Sequence, residues 1–338
     1  MKGKKTEDRR QKSEVRIQRA EGRGQRAEFR SQNGGRNLGR WMALLAVALA
    51  AGCAAPKPQF TDADWVSHTT TGRGCYERGD YRRGGEAFER AQRRARALDD
   101  ADALAISAVN RSVCLLAEGK AEEARAGIDE ALADPRTSPS RRAELQAAGA
   151  RAELALGQPD EASKRAEAAL QLRPAPVTRA QALLAKSAAA LANNDPAQAT
   201  QTLQEGLSAG GWRQLSAAIQ AEHAARRAEI AAAEKRSADA MGLQDEAARL
   251  WKNAGRLPEM GRALAEAGRQ AKAADNLAEA SDRFWRAARS LWALGLQPEA
   301  VRVLEEGVAC AEELKDEAVG KRMAELFVTF KAGKRPSK

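Results

Sequence analysis

Histidine, cysteine and aromatic residues are scarce in this chain of 338 residues. It has two histidines, four cysteines and 4% Phe, Trp and Tyr, and its cysteines form no CxxC pair. This scarcity argues against a zinc centre or a histidine-dependent active site, because both rely on imidazoles or thiolates at characteristic spacings. The sequence also has no phosphate-binding glycine loop. We therefore predict no catalytic, cofactor or metal site, and the chain is not expected to be an enzyme.

The formal net charge of +10 is unevenly distributed along the chain. Residues 1–40 contain 13 Lys and Arg against 5 Asp and Glu, so the remaining residues carry only +2. A body with balanced charges lacks the basic stripe that neutralises a nucleic-acid backbone, and we expect no nucleic-acid partner for the mature chain. We predict that residues 1–40 are a disordered basic extension that is removed or not translated. The alternative is a retained arm that binds RNA or anionic lipid.

An uncharged segment follows this extension. WMALLAVALAA, Trp41–Ala51, has eleven residues, whereas a membrane-spanning helix needs about 20. The length instead suits the apolar region of a signal peptide, with Arg36 and Arg40 as the positive charges before it. The sequence LAAGC, Leu49–Cys53, then resembles the lipobox of bacterial lipoproteins.

This resemblance implies that residues 41–53 are a signal peptide, that cleavage occurs before Cys53 and that the Cys53 thiol carries a lipid. Residues 54–64, which include two prolines, would form a tether. The implied location is the bacterial cell envelope, with the lipid in the outer or inner membrane and the rest of the chain facing the periplasm. An ordinary signal peptide or short anchor that ends at a small residue is the alternative.

The rest of the chain is rich in Ala, Leu, Glu, Gln and Arg, a composition that favours closely packed helices. A motif recurs within it. Its clearest copy is NRSVCLLAEGKAEEARAGIDEAL, Asn110–Leu132, with a turn glycine at Gly119, a small contact residue at Ala124 and Pro135 beyond the second helix. This pattern resembles the tetratricopeptide repeat (TPR), a helix hairpin of about 34 residues. Equivalent turn positions are Gly79, Gly157 and Asn194, at intervals of 40, 38 and 37 residues.

The resemblance implies an all-α fold, a right-handed superhelical solenoid of TPR-like helix hairpins. We predict regular repeats over residues 65–211, degenerate helical repeats over 212–316, and a capping helix with a basic tail over 317–338. Within the degenerate part, Gly242 and Gly295 are expected at turns. The helices expected there and at the end of the chain are Pro258–Lys272, Asn276–Leu294 and Glu317–Lys331.

In TPR proteins the first helices of successive hairpins line a groove for extended peptides or partner helices. The candidate partner-binding groove in this chain comprises Arg73, Val109, Asn110 and Val113. Asn110 matches the position of an asparagine in family members that clamp a carboxylate terminus, but the partner positions do not follow that pattern. Burial of this helix face against the preceding hairpin is the alternative.

Of three further residue groups, the first two allow two interpretations each. Trp285 and Trp292 lie seven positions apart on one predicted helix, where they either pack between hairpins or expose a binding hot spot. Cys75 and Cys114 lie on adjacent first helices and are either buried thiols or, in an exported protein, a disulfide. Asp99, Asp100 and Asp102 precede a helix whose positive N-terminal end they would stabilise.

Taken together, these features predict a membrane-anchored TPR-type scaffold lipoprotein that binds an unknown protein or peptide in the bacterial envelope. Two alternatives remain open at this point. One is a cytoplasmic adaptor with a basic N-terminal arm. The other is a helical support for an active site that leaves no recognisable motif, which could be identified only by proximity in a structure.

Overall fold

A computed structural model describes residues 62–208 and 214–331, and within these ranges the regular structure is helical. The basic extension, the signal segment with Cys53, most of the tether, residues 209–213 and the end of the basic tail lie outside the described residues. The helices are α1 (Ala63–Glu77), α2 (Tyr81–Ala97), α3 (Ala101–Ala117), α4 (Ala121–Ala133), α5 (Pro139–Ala155), α6 (Pro159–Gln171), α7 (Pro176–Ala192), α8 (Pro196–Ser208), α9 (Ala217–Ala233), α10 (Ser237–Asn253), α11 (Leu257–Ala273), α12 (Leu277–Ala293), α13 (Gln297–Leu314) and α14 (Glu317–Lys331).

Local signals define where these helices begin. The Asp62 carboxylate accepts a hydrogen bond from the Trp65 amide at 2.8 Å, and α1 therefore starts at Ala63, slightly inside the predicted tether. The Asp100 carboxylate does the same for the Ala103 amide at 2.9 Å, which confirms its capping role. Proline opens α5 and other helices because the first turn needs no proline N–H donor.

Tight turns end the helices. At the end of α3 the Lys120 amide donates to the Leu115 carbonyl at 2.8 Å and the Gly119 amide donates to the Leu116 carbonyl at 3.1 Å. This is the Schellman arrangement, which requires a left-handed residue such as Gly119, with φ of 77°. The turns predicted at Gly79, Gly119, Gly157 and Asn194 are all present, and each of these residues has positive φ.

The turn predicted at Gly242 is not present, so that prediction is wrong. Gly242 lies inside α10, and the left-handed turns flanking that helix are at Lys235 and Gly255. Further left-handed residues are Asp275, Gly295 and Lys315, so the turns after α9 recur every 20 positions. The geometry of this part is therefore regular. Its sequence matches the motif poorly because Lys and Asp occupy turn positions that favour glycine.

Small residues allow the helices to approach closely. A Cβ atom on Gly72 in α1 would lie 2.7 Å from the Phe88 ring in α2, and Ala87 and Ala91 on the facing helix are fully buried. The same relationship recurs in the C-terminal part, where a Cβ on Gly268 would lie 2.9 Å from Phe284. In these two helix pairs a buried aromatic ring therefore packs against a glycine of the facing helix.

The helices stack in chain order, and two patterns of contact follow. Between α3 and α9 the first helices of successive hairpins also touch one another: α3 contacts α5, α5 contacts α7, and α7 contacts α9. From α9 to α14 the main contacts join consecutive helices, and one continuous hydrophobic cluster runs through them. The helix α14 ends this stack, with Phe330 stacked on Trp292 at a centroid distance of 4.0 Å.

Candidate functional site

The inner helices of the solenoid line a half-open cavity of about 450 Å³. It receives side chains from α1, α2, α3, α5, α7, α9, α10 and α11, which means that most of the described chain contributes to one site. Its lining combines aromatic, aliphatic and charged groups: Tyr76, Tyr81, Val113, Leu116, Ala117, Arg151, Leu154, Gln181, Leu184, Ala185, Glu222, Ala225, Arg226, Glu229, Trp251, Arg256, Glu259 and Arg262.

Residues from the first hairpin and from α11 meet at one side of this cavity. The Arg256 guanidinium lies 4.3 Å from the centroid of the Tyr76 ring, and the Tyr81 hydroxyl donates a long hydrogen bond of 3.4 Å to Glu259 Oε1. We call this contact, formed by Tyr76, Tyr81, Arg256 and Glu259, the seam. It brings together residues 178 positions apart and completes the wall of the cavity.

The positions of these side chains follow from the turns that carry them. Tyr76 stands in the last turn of α1 and Tyr81 begins α2, so the turn at Gly79 holds their rings 5.6 Å apart. Arg256 occupies the N-cap position of α11 without a side-chain capping hydrogen bond, and Glu259 lies in the first turn of that helix. Arg256 forms an ion pair with Glu259, which directs its guanidinium towards the Tyr76 ring.

The charges in the cavity are paired. Arg226 forms an ion pair with Glu229, and Arg151 lies 3.8 Å from Glu222. Glu229 keeps 46% of its side chain accessible because it faces the open cavity, yet protein surrounds that space and burial raises its pKa. The cavity therefore has a polar but nearly neutral interior.

Burial also affects the two tyrosines of the seam. Desolvation raises the pKa of Tyr76, although the nearby Arg256 opposes the shift. Desolvation raises the pKa of Tyr81 as well, and the carboxylate of Glu259 adds to that increase. Both phenols are neutral at physiological pH, and that of Tyr81 donates a hydrogen bond to Glu259.

A second cavity of about 500 Å³ lies between α9, α10, α11 and α13. It shares Glu229, Trp251, Glu259 and Arg262 with the first, so the two form one continuous inner surface. Ion pairs from α11 to α13 define its far wall: Arg262 Nε lies 2.8 Å from Glu299, and Arg269 Nε lies 2.8 Å from Glu306.

The predicted groove residues are divided between different surroundings. Val113 lines the cavity. Val109 instead packs against the cluster that contains Ile128 and Leu145, while Asn110 is half-buried and Arg73 is exposed outside the cavity lining. The sequence thus identified α3 as a contributing helix but predicted a face that only partly coincides with the cavity.

The residues of the seam were missed by sequence reasoning. Tyr76, Tyr81, Arg256 and Glu259 carry no local motif that marks them as a site. The composition could have pointed to two of them, because the chain has only two tyrosines and both lie on this wall of the cavity.

The aromatic pair in α12 has two distinct environments. Trp292 is buried and stacks on Phe330, which confirms interhelical packing for that residue. Trp285 is half-buried between two guanidinium groups, with Arg289 and Arg322 at 4.3 and 4.6 Å from its ring centroid. The two tryptophans therefore do not form a joint exposed surface.

Cys75, Cys114 and Cys310 are buried free thiols. Burial raises the pKa of Cys114 to about 12, with a further contribution from Glu118, so this thiol is protonated at neutral pH. Of Asp99, Asp100 and Asp102, only Asp100 caps α3, because Asp99 precedes the cap and Asp102 lies in the first turn of the helix. Asp99 pairs with Arg136 at 2.7 Å, and Asp102 accepts a hydrogen bond from the Ser138 amide at 2.9 Å.

One segment matches a catalytic spacing. GLSAG, residues 206–210, has the GxSxG pattern of a hydrolase nucleophile turn, which requires a strand immediately before the serine. Here Ser208 is the last residue of α8. The serine therefore ends a helix and has no strand before it, which the hydrolase turn requires.

The described residues also bear on metal binding and membrane spanning. Over residues 62–208 and 214–331, no group of three or more His, Cys, Asp or Glu side chains is placed to hold a metal ion. No helix in the same part of the chain is sufficiently long and apolar to span a membrane.

No protein-family model and no curated protein matches this chain. Among solved structures, the APC/C hetero-tetramer Cut9–Hcn1 matches with a TM-score of 0.52 at 12% identity, over 80% of this chain and 50% of that chain. The fold is a TPR-like all-α solenoid. Weaker similarity is found to BtubC from P. vanneervenii, with a TM-score of 0.49 at 17% identity over 64% of this chain and 92% of that chain. A tetratricopeptide repeat protein from Parabacteroides merdae has a TM-score of 0.41 at 12% identity, over 79% of this chain and 100% of that chain.

The confirmed part of the sequence prediction is therefore the all-α solenoid of TPR-like hairpins. This chain spans about half the length of the Cut9–Hcn1 chain that it matches.

Proposed function

We propose that this protein is a non-catalytic scaffold that binds a segment of a partner protein on the inner surface of its solenoid. The observation that carries the proposal is the continuous inner surface formed by cavities of about 450 and 500 Å³. Volumes of this size are typical of ligand-binding sites. A whole globular partner would not fit, whereas a short extended or helical segment would.

The chemistry of the lining supports a polypeptide ligand. Tyr, Trp and Arg are the residue types that dominate protein-binding energetics, and Tyr76, Tyr81, Trp251 and Arg256 converge on one wall of the first cavity. Paired Arg and Glu side chains can exchange partners with backbone or side-chain groups of an incoming segment. The neighbouring Val113, Leu116 and Leu154 offer apolar contacts for its side chains.

A photo-crosslinking experiment tests where the partner binds. A photoreactive benzoylphenylalanine at Val113 reports from the cavity, and the same group at Val328, which is 67% exposed on α14, serves as the control. We expect a discrete crosslinked partner from Val113 that is absent from Val328. Equal products from both positions, or none from Val113, would contradict binding in the cavity.

We further propose that the scaffold is a lipoprotein of the bacterial envelope, anchored through Cys53 and facing the periplasm. Support comes from the sequence LAAGC and the uncharged segment before it. Metabolic labelling with a fatty acid should mark the wild-type protein but not Cys53→Ala. An unlabelled wild type, or equal labelling of both proteins, would disprove the lipid anchor, and recovery in the soluble cytoplasmic fraction would favour the adaptor with a basic arm.

A further inference from the structure

The seam differs from the other helix contacts in what holds it together. Successive hairpins are joined by buried hydrophobic clusters, such as the cluster through α9–α14 that contains Trp251 and the one at α1–α3 that contains Trp65. Across the described residues, no such cluster includes side chains from both sides of the seam. Its apolar part is a local contact between the turn at Gly79 and Pro258, whose Cγ lies 3.7 Å from the position of a Cβ on Gly79.

Opening the seam would break a small number of polar contacts. The Arg256–Glu259 ion pair lies within α11 and stays intact when the first hairpin moves away. What is lost is the stacking of Arg256 on Tyr76, the 3.4 Å hydrogen bond from Tyr81 to Glu259, and the electrostatic contacts of the two phenols with Arg256 and Arg262. Arg256 and Glu259 are only 16% and 17% exposed, so these contacts hold the seam closed, but together they stabilise it less than a buried hydrophobic cluster would.

The architecture favours such a movement. In a solenoid each hairpin depends mainly on its neighbours, so stability is nearly a sum of local terms. The seam is a long-range contact that adds to the contacts between successive hairpins. Its opening therefore leaves the hydrophobic contacts between successive hairpins in place.

We infer that the seam is a gate, which opens reversibly when the α1–α2 hairpin moves away from the start of α11. Tyr76 and Tyr81 line the first cavity from one side of the seam, and Trp251, Arg256, Glu259 and Arg262 line it from the other. Opening the gate exposes the cavity laterally along its length. A partner segment can then enter from the side without threading a free end, a consequence that rests on the proposed binding function.

The gate itself can be tested without a partner. Spin labels at Arg82→Cys and Lys252→Cys occupy exposed positions near the two sides of the seam, in the full chain with Cys53→Ala. The three other native thiols are buried and should escape brief labelling. Pulsed electron spin resonance then measures the distribution of distances between the labels.

We expect a dominant short distance with a minor longer population in the parent protein. Arg256→Ala should raise the ratio of open to closed molecules about tenfold, which corresponds to about 1.4 kcal/mol. Tyr76→Leu should act in the same direction, whereas Tyr76→Phe keeps the aromatic face and should stay closed. The matched control is Arg289→Ala, which removes a guanidinium at the same 4.3 Å from an aromatic ring, but away from the seam.

Circular dichroism and thermal unfolding show whether each variant is folded. Identical distance distributions for the parent and Arg256→Ala, both folded, would overturn the gate. So would an equal shift in Arg289→Ala. An open seam in Arg256→Ala combined with no partner crosslink from Val113 would leave the gate standing and reject the proposed binding function.

Discussion

The Tyr81 hydroxyl lies 3.4 Å from Glu259 Oε1, although 178 positions separate these residues in the chain. Every helix between them contributes part of the path that brings them together. The contact therefore reports the accumulated curvature of the solenoid and not a local preference. It also creates a site that an open array of the same hairpins would lack, because Tyr81 and Glu259 line one cavity.

Two glycine substitutions should have effects of opposite sign. Gly268→Ala places a methyl group 2.9 Å from the fully buried Phe284 ring and should destabilise the protein by about 1–3 kcal/mol. Gly242→Ala adds a methyl group that meets nothing within 4 Å inside α10, and should stabilise by up to about 1 kcal/mol. Urea unfolding measures both. Destabilisation by Gly242→Ala would indicate that this residue occupies a turn after all.

The turn residues offer a second pair of opposite changes. Lys235 holds a left-handed conformation with φ of 61° after α9, whereas Gly255 occupies the equivalent turn after α10. Lys235→Gly should stabilise the protein by about 0.5–1 kcal/mol, because glycine adopts this conformation without strain. Gly255→Ala should destabilise it by a similar amount. If neither Lys235→Gly nor Gly255→Ala shifts the midpoint of thermal unfolding, the assigned turns are contradicted.

Stability should depend on pH through His223. Burial lowers the pKa of His223 to about 4, and Arg227 adds to this shift. The unfolded chain then binds more protons than the folded one between about pH 6.5 and pH 4, so acidification through this range should remove up to about 3 kcal/mol of stability. Above about pH 6.5 neutral His223 contributes its full stabilisation.

His223→Gln should flatten the loss of stability between pH 7 and pH 5, as measured by urea unfolding at several pH values. The matched control is His68→Gln, which removes the second of the two histidines from the half-buried surface of α1. The slope should persist in that control. A slope unchanged by His223→Gln would show that other groups govern the response to acid.

The terminal helix should depend on one aromatic contact. Phe330 is 2% exposed and stacks on Trp292 at 4.0 Å, so Phe330→Ala should cost about 3–5 kcal/mol. Hydrogen exchange should accelerate mainly in α14 and the adjoining α13. Val328→Ala, at a position that is 67% exposed, is the control and should change little; uniform acceleration throughout the solenoid would contradict a local cap.

Sequence reasoning succeeded where a residue acts through its neighbours in the chain. Gly119 and Asn194 were recognised at turns because left-handed backbone is a local requirement. Gly242 misled for the same reason: a glycine before a plausible second helix resembles a turn, but α10 continues through it and Lys235 forms the turn instead. Backbone hydrogen bonding can place a lysine in the left-handed region, which residue type alone does not reveal.

The sequence predicted the candidate site less well than it predicted the turns. The sequence indicated that α3 contributes, and Val113 does line the cavity, but Val109 packs against the next hairpin. These residues lie four apart on one helix, and whether each faces the cavity depends on how neighbouring helices cross α3. That crossing is decided by packing between hairpins.

By itself, the sequence determined that this protein is an all-α array of hairpins, because helix starts, turns and small contact residues are set within a few tens of residues. Only the tertiary structure decided that Tyr76 and Tyr81 meet Arg256 and Glu259 and complete a cavity. The physical reason is that small rotations between successive hairpins add up along the solenoid. Their sum determines which distant residues meet, and no single segment of sequence encodes it.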